Sequence, residues 1–170
     1  YNYPGDIFNN SFSNNEIFNA TRCISFNSNY RGWMHDNHFF KNKLSNASYG
    51  VYFDSINVLN DFIRDNSFDI NILANISSYG IYFKDSVSYD NNFGESNTLN
   101  KKKIYHYHGV DGVSVNGITS PADASNLGLF TIINSSNVSL KDSLLSGDRE
   151  YGVFLWDAKD NVIEFNNLSS

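Results

Sequence analysis

Asp36, Asp65 and Asp90 each precede an Asn–x–Phe triplet, and they are the first residues whose type and spacing could do chemistry. If the segments carrying them stack at about 4.8 Å, three carboxylates stand in one column and need a countercharge. A hard cation with oxygen ligands, such as Ca²⁺, would supply it. The plainer reading, turn residues facing water, is preferred because Asp is a turn former. His106 and His108 alternate along one strand as two metal ligands would. His106 falls in a core column, however, and His35 and His38 flank a turn. The one cysteine, Cys23, excludes an internal disulfide and multi-thiolate metal sites, and its apolar neighbours mark it as a small core residue.

No catalytic motif emerges. An inverting hydrolase needs two carboxylates facing each other across a groove. Asp54, Asp85 and Asp157 recur after a shared glycine motif, and such recurrence points to structural turns. Seven Asn-x-Ser/Thr sequons, at Asn9, Asn19, Asn46, Asn75, Asn134, Asn137 and Asn167, are candidate glycosylation sites. About four would arise by chance at this Asn and Ser content.

These residues sit in an internal repeat. The segment Asp65-Asn66-Ser67-Phe68 has relatives starting at positions 9, 36, 90, 115, 141 and 165, with steps of 24 to 29 residues. One column reads Asn10, Asn37, Asn66, Asn91, Asn116, Asp142, Asn166. The column two residues on reads Phe12, Phe39, Phe68, Phe93, Ile118, Leu144, Leu168. A second motif, Tyr49-Gly50-Val51-Tyr52-Phe53, recurs at Tyr79, Leu127 and Tyr151, with weaker copies at Cys23 and Lys103.

Short strand-like pieces joined by polar turns at this period predict an all-β fold: a right-handed, single-stranded parallel β-helix of about seven coils of 24–29 residues. Composition agrees, with 27 Asn and 23 Ser for turns and 14 Phe and 11 Tyr for strands. Stacked coils let buried Asn side chains bond amide to amide, which satisfies groups that are costly to bury alone. The chain reads as one domain over 1–170, with a less regular, loop-rich region at 95–125. The net charge of −6 argues against nucleic acid as a partner, and no apolar run is long enough for a membrane-spanning helix.

The stretch Ile104-Tyr105-His106-Tyr107, then Val113 to Gly117, then Asn134-Ser135-Ser136-Asn137-Val138-Ser139-Leu140 resembles the NosD-like β-helix proteins with the CASH type of repeat, as do Tyr151-Gly152-Val153 and Asp160 to Asn167. That resemblance implies the parallel β-helix and an archaeal-type surface protein. It implies no single activity, because the family mixes surface proteins with sugar-active enzymes. The copper site behind the family's name has no Met, Cys and His cluster here to carry it.

Alternation in the glycine motif assigns faces. Ile24, Val51, Ile81, Ile104, Leu129 and Val153 point inward. Tyr52, Tyr82, Tyr105, Phe130 and Phe154 then point outward, followed by Tyr107 and Trp156. Such an aromatic face marks a contact surface. It could stack on sugar rings, pack against a neighbouring subunit, or lie under the chain's own loops. Ladder motifs reach both ends without a visible cap, so the expectation is a longer chain or head-to-tail stacking. The expected function is an extracellular structural protein of a cell surface, needing no cofactor and partnered by itself, laterally or head-to-tail. The alternative is a polysaccharide-binding or polysaccharide-active domain.

Overall fold

The computed structural model describes residues 6–28, 33–55, 63–84, 90–116, 127–145 and 152–168. No helix occurs among them, and the stacked parallel strands form a β-solenoid of about five turns. The first tier holds β1 (Ile7–Phe8), β2 (Ser11–Ser13), β3 (Glu16–Phe18) and β4 (Arg22–Ser28). Above it lie β5 (Met34–His35), β6 (His38–Phe40) and β7 (Lys43–Ser55), then β8 (Ile63–Arg64), β9 (Ser67–Asp69) and β10 (Ile72–Phe83). A partial tier of β11 (Asn92–Phe93) and β12 (Thr98–Leu99) ends this first stack.

Left-handed backbone makes the corners. Three columns, Asn9/Asp36/Asp65, Asn14/Lys41/Ile70 and Asn19/Asn46/Asn75/Asn100, all have φ between 50° and 57°. The columns stand five residues apart along the chain: three in a strand, one at the corner, one turning in. The left-handed region is disfavoured for residues with a Cβ, least so for Asn and Asp. The first two corners are each followed by an inward Asn, giving two amide ladders. In one, the backbone N–H and Nδ2 of Asn10 both donate to Oδ1 of Asn37, at 3.1 and 3.0 Å. Asn37 donates likewise to Asn66, and Asn66 to Asn91. The other runs Asn15, Asn42, Asn71, Asn97 in the same sense. Each Nδ2 from the second tier onward also reaches back to a carbonyl of the tier before, as Asn71 does to Phe39. The middle amides, Asn37, Asn42, Asn66 and Asn71, therefore each tie three tiers together.

Beside the ladders, Phe12, Phe39, Phe68 and Phe93 stack at 4.9, 4.8 and 4.3 Å between centroids. Phe26, Phe53 and Phe83 form a second stack, which meets the first edge-on. The Tyr-Gly motif aligns as the sequence predicts, with Tyr79 on Tyr49, Ile81 on Val51 and Phe83 on Phe53, after a one-residue irregularity between Ile76 and Tyr79. Gly50 is required there: a Cβ would come within 2.5 Å of both the Gly80 carbonyl oxygen and Leu73.

The stack then reverses. Asn100 and Lys101, with φ of 50° and 70°, make a two-residue turn of the kind that needs positive φ at both centres. It sends β13 (Lys102–His108) back antiparallel to β12, with Leu99 facing Lys102. Within the loop-rich region expected at 95–125, Lys101–Lys103 thus belong to a hairpin. Beyond it, strands are parallel to β13: β14 (Ser114–Asn116), β15 (Leu127–Ile133), β16 (Ser139–Lys141), β17 (Leu144–Leu145), β18 (Val153–Trp156), β19 (Val162–Glu164) and β20 (Asn167–Leu168). One path of neighbouring strands, β3-β7-β10-β12-β13-β15-β17-β20, runs through both stacks.

The core changes face at the reversal. Ile104, Leu129 and Ile133 belong to the core of the first stack. Tyr105, Phe130 and Ile132, on the opposite face of the same strands, form a second core with Val115, Val138, Leu140 and Leu145. Strands β13 and β15 are thus covered on both faces. Three sequence expectations are corrected. Val153 pairs with Phe130, not Leu129, so from β18 onward the inward and outward residues exchange. Asp142 is an exposed left-handed corner with φ 48°, and the ladder position belongs to buried Ser143, whose N–H donates to Asn166 Oδ1 at 2.9 Å. Asn116 pairs with Lys141, outside the Asn166 column.

Two stability outcomes follow from the corners. Asn66→Ala strips the acceptor from two buried donors of Asn37 and lowers the unfolding free energy by about 2–4 kcal/mol, whereas Asn10→Ala, at the exposed end, costs under about 1 kcal/mol. Ile70 is an exposed β-branched residue at φ 55°, so Ile70→Asn stabilises by about 1 kcal/mol. Urea denaturation of the three variants against the parent checks both.

Candidate functional site

Strand β13 lies across the far end of the first stack and builds a polar concavity there. Its rise from the hairpin carries His106 over Phe93, centroids 5.2 Å apart and edge-on, and brings His108 to Asp90. The groove, of about 570 Å³, is lined by Asp65, Ser67, Asp90, Asn92, His106 and His108 with their neighbours. His108 Nε2 stands 2.7 Å from Asp90 Oδ1. His38 Nδ1 meets Ser67 Oγ at 2.6 Å on the adjoining tier.

His106 is buried, with Nδ1 2.6 Å from Thr131 Oγ1 and Nε2 lacking a well-aligned partner. Burial, reinforced by the neighbouring His108, pushes its pKa down to about 4 against a small opposing pull from the Asn91 backbone. It is therefore a neutral imidazole at pH 7, acting as a core group that closes the Phe ladder. Neither it nor His108 joins a metal cluster: among the described residues no three His, Cys, Asp or Glu converge on a possible ion site.

Each aspartate of the column instead has a nitrogen-bearing side chain beside it. Asp36 lies 2.6 Å from His35 Nδ1, Asp65 3.4 Å from Arg64 Nε, and Asp90 beside His108. Asp36 and Asp65 occupy left-handed corners. Asp54 is buried with Lys84 Nζ at 2.9 and 3.0 Å from its two oxygens. The sequon asparagines are corners too: Asn9, Asn19, Asn46, Asn75, Asn134 and Asn137 all have φ between 46° and 57°, those of Asn46 and Asn75 as bends within β7 and β10, whereas Asn167 lies on β20 without such a bend. The left-handed requirement accounts for Asn at these six places without reference to glycans. Asn75 Nδ2 donates to Asn46 Oδ1 at 3.1 Å.

The predicted aromatic face divides at the reversal. On the first stack, Tyr52 and Tyr82 stack at 5.1 Å, Tyr49 and Tyr79 at 5.7 Å, and the Arg22 guanidinium caps Tyr52 at 3.7 Å. Tyr52 is buried by these neighbours, while Tyr82 is half-buried. On the second stack the same face is interior. Phe130 is wholly buried, Tyr105 is buried, and Tyr107 packs half-buried against the second core. Burial, with Glu95 and Tyr105 nearby, pushes the Tyr107 pKa up to about 12, so it serves as a neutral hydroxyl. Phe154, displaced by the register change, packs on the first core at 6.2 Å from Phe83, and Trp156 is exposed. A continuous outer aromatic strip is therefore not formed. Tyr151 and Asp85 lie outside the described residues.

The second ladder, Asn15/Asn42/Asn71/Asn97, escaped the sequence reading. Its signal was present, five or six residues after each member of the first. Parallel tiers joined by buried amide ladders define the class as a β-solenoid. Comparison of the chain with family models, with curated proteins and with solved structures finds no match.

The buried imidazole sets a pH dependence. An unfolded histidine titrates near 6.5 and the folded one near 4, so between these values the unfolded chain binds the extra proton. The stabilisation is complete above about pH 6.5 and is lost as pH falls toward 4, to a total of about 3 kcal/mol. Urea titrations at several pH values should show His106→Gln losing this part of the slope; a variant with the parent's slope would place the titration elsewhere.

Proposed function

We propose that the chain is an extracellular structural protein of a cell surface, a β-helix rod that self-assembles end to end or packs laterally into a filament, sheath or surface layer. The observation that carries this reading is the state of the core columns at the first and last described tiers. Ile7 and Phe12 are 44% and 43% exposed at one end, and Leu155 and Ile163 are 47% and 36% exposed at the other. Their counterparts Phe39, Ile132 and Leu140 are buried. Solenoid tiers bury such columns only by stacking. In this reading the winding is right-handed, each of the seven repeats makes a coil, and the kinship is with the NosD-like, CASH-type surface proteins. Glycans at the corner sequons would be limited to alternate tiers where Asn46 and Asn75 adjoin. The rod needs no cofactor, and Ca²⁺ at Asp36, Asp65 and Asp90 would have to displace the His35, Arg64 and His108 side chains beside them.

A second reading, a polysaccharide-binding domain, is favoured by the Tyr49/Tyr52/Tyr79/Tyr82 cluster on the outer sheet face. Sedimentation velocity at rising concentration separates the two. Mass-action growth into long species supports the rod. A monomer at every concentration that is retarded in polysaccharide-containing native gels supports the second reading and removes the first.

A further inference from the structure

The ladders have a direction, and that direction distinguishes the two ends of the solenoid. In every ladder bond to an Asn Oδ1, the earlier tier supplies the N–H donors and the later tier the acceptor, while the later tier's Nδ2 reaches back to a carbonyl. Asn10 gives to Asn37, Asn15 to Asn42, and so on through the first stack. The second stack keeps the sense, with the N–H of Val138 donating to Asn161 Oδ1 at 2.8 Å and that of Ser143 to Asn166 Oδ1. The first tier thus presents the Oδ1 acceptors of Asn10 and Asn15, with no earlier ladder tier among the described residues. The last presents the N–H donors of Asn161 and Asn166, with no later one.

The two end tiers also share one template. Asn10 and Asn15 are five residues apart, as are Asn161 and Asn166. Each follows a left-handed corner: Asn9 and Asn14 at one end, Asp160 and Phe165 at the other. Phe12 and Ile163 stand two residues after the first Asn of each pair and are the uncovered members of their core columns. Strands β2 and β3 are outermost in their sheets at one end, and β19 and β20 at the other. At the first end the exposed core forms a concavity of about 470 Å³ lined by Ile7, Phe12, Ile17, Cys23, Ile24 and Phe26.

We infer that the partner of each end face is the opposite end of a second copy of this chain, with Asn161 and Asn166 of one copy donating to Asn10 and Asn15 of the next. This rests on the assembly reading above and narrows it. Like ends would set Oδ1 acceptor against Oδ1 acceptor, or ladder N–H against ladder N–H, whereas the head-to-tail contact repeats the bonds seen between tiers, and it does not close on itself. The reversal at Asn100–Lys101 fixes the relation between copies. The last tier runs antiparallel to the first and keeps its core on the other face of the sheet, so continuing the stack turns each copy by about half a turn about the axis. With eight strands on the path from β3 to β20, the rise per copy is about 38 Å and the axial repeat about 75 Å.

The test uses two blocked variants, Phe12→Lys at the first end and Ile163→Lys at the last, each checked for a parent-like circular dichroism spectrum and melting curve. If either fails that check, Ile7→Lys or Leu155→Lys replaces it. Sedimentation velocity is run on the parent, on each variant, and on their mixture. The expected result is growth of the parent into long species, each variant alone monomeric, and the mixture shifting to twice the monomer mass and no further. A variant that dimerises alone, or a mixture that stays monomeric while the parent grows, overturns the head-to-tail pairing but leaves assembly standing. A parent that is monomeric throughout overturns both. Negative-stain images of the parent species should show the axial repeat of about 75 Å, and a repeat of one subunit rise would contradict the half-turn.

Discussion

A buried asparagine amide that must find partners on both sides is the constraint on which this structure depends. An amide placed in an apolar interior without hydrogen bonds is costly, and the inward Asn residues of the first stack avoid that cost through an identical residue one tier away and a carbonyl of the tier before. The ladder sets the spacing of the tiers, and the spacing brings the phenylalanines into stacking distance. The same tier geometry demands left-handed corners, which Asn and Asp tolerate better than other residues with a side chain. The composition follows: Asn is abundant because it serves two positions in each turn, one for backbone conformation and one for side-chain bonding.

The reversal between β12 and β13 changes what the rest of the chain can be. A single parallel stack would leave one face of its sheets outward throughout. Here β13 and β15 carry a core on each face, so tyrosines and phenylalanines that alternation assigns to solvent become interior. The same strand closes the far end of the first stack with His106 and His108. That end therefore needs no separate cap, and the polar groove holding the Asp90–His108 pair is a by-product of the closure.

Much of this was legible in the sequence, for reasons particular to each element. The columns Val51/Ile81 and Phe53/Phe83 were readable because the Tyr-Gly motif repeats without gaps in register-bearing positions. The Asn10/Asn37/Asn66/Asn91 ladder was readable because one residue type persists at a near-constant step. The reversal was not, because alternation along Ile104-Tyr105-His106 reads the same whichever way the strand runs and whichever face holds the core. The displacement of Val153 onto Phe130 was hidden likewise: both are large and apolar, and a slip of one residue leaves an acceptable pattern. Asp142 was misplaced because its partner in the ladder position is a serine, whose hydroxyl does the amide's work and bonds back to the Lys141 carbonyl.

The Asn100–Lys101 turn also bears on how the chain finds this shape. The ladder hydrogen bonds between tiers join residues 23 to 32 positions apart. Each such contact closes a sizeable loop before it returns any stabilisation. The hairpin joins Leu99 to Lys102 and closes almost none. It is the cheapest first contact between strands, and it sits near the middle of the sheet path with an open edge on either side. A chain that started from that seed would grow outward in both directions, one tier templating the next, and would complete its two ends last.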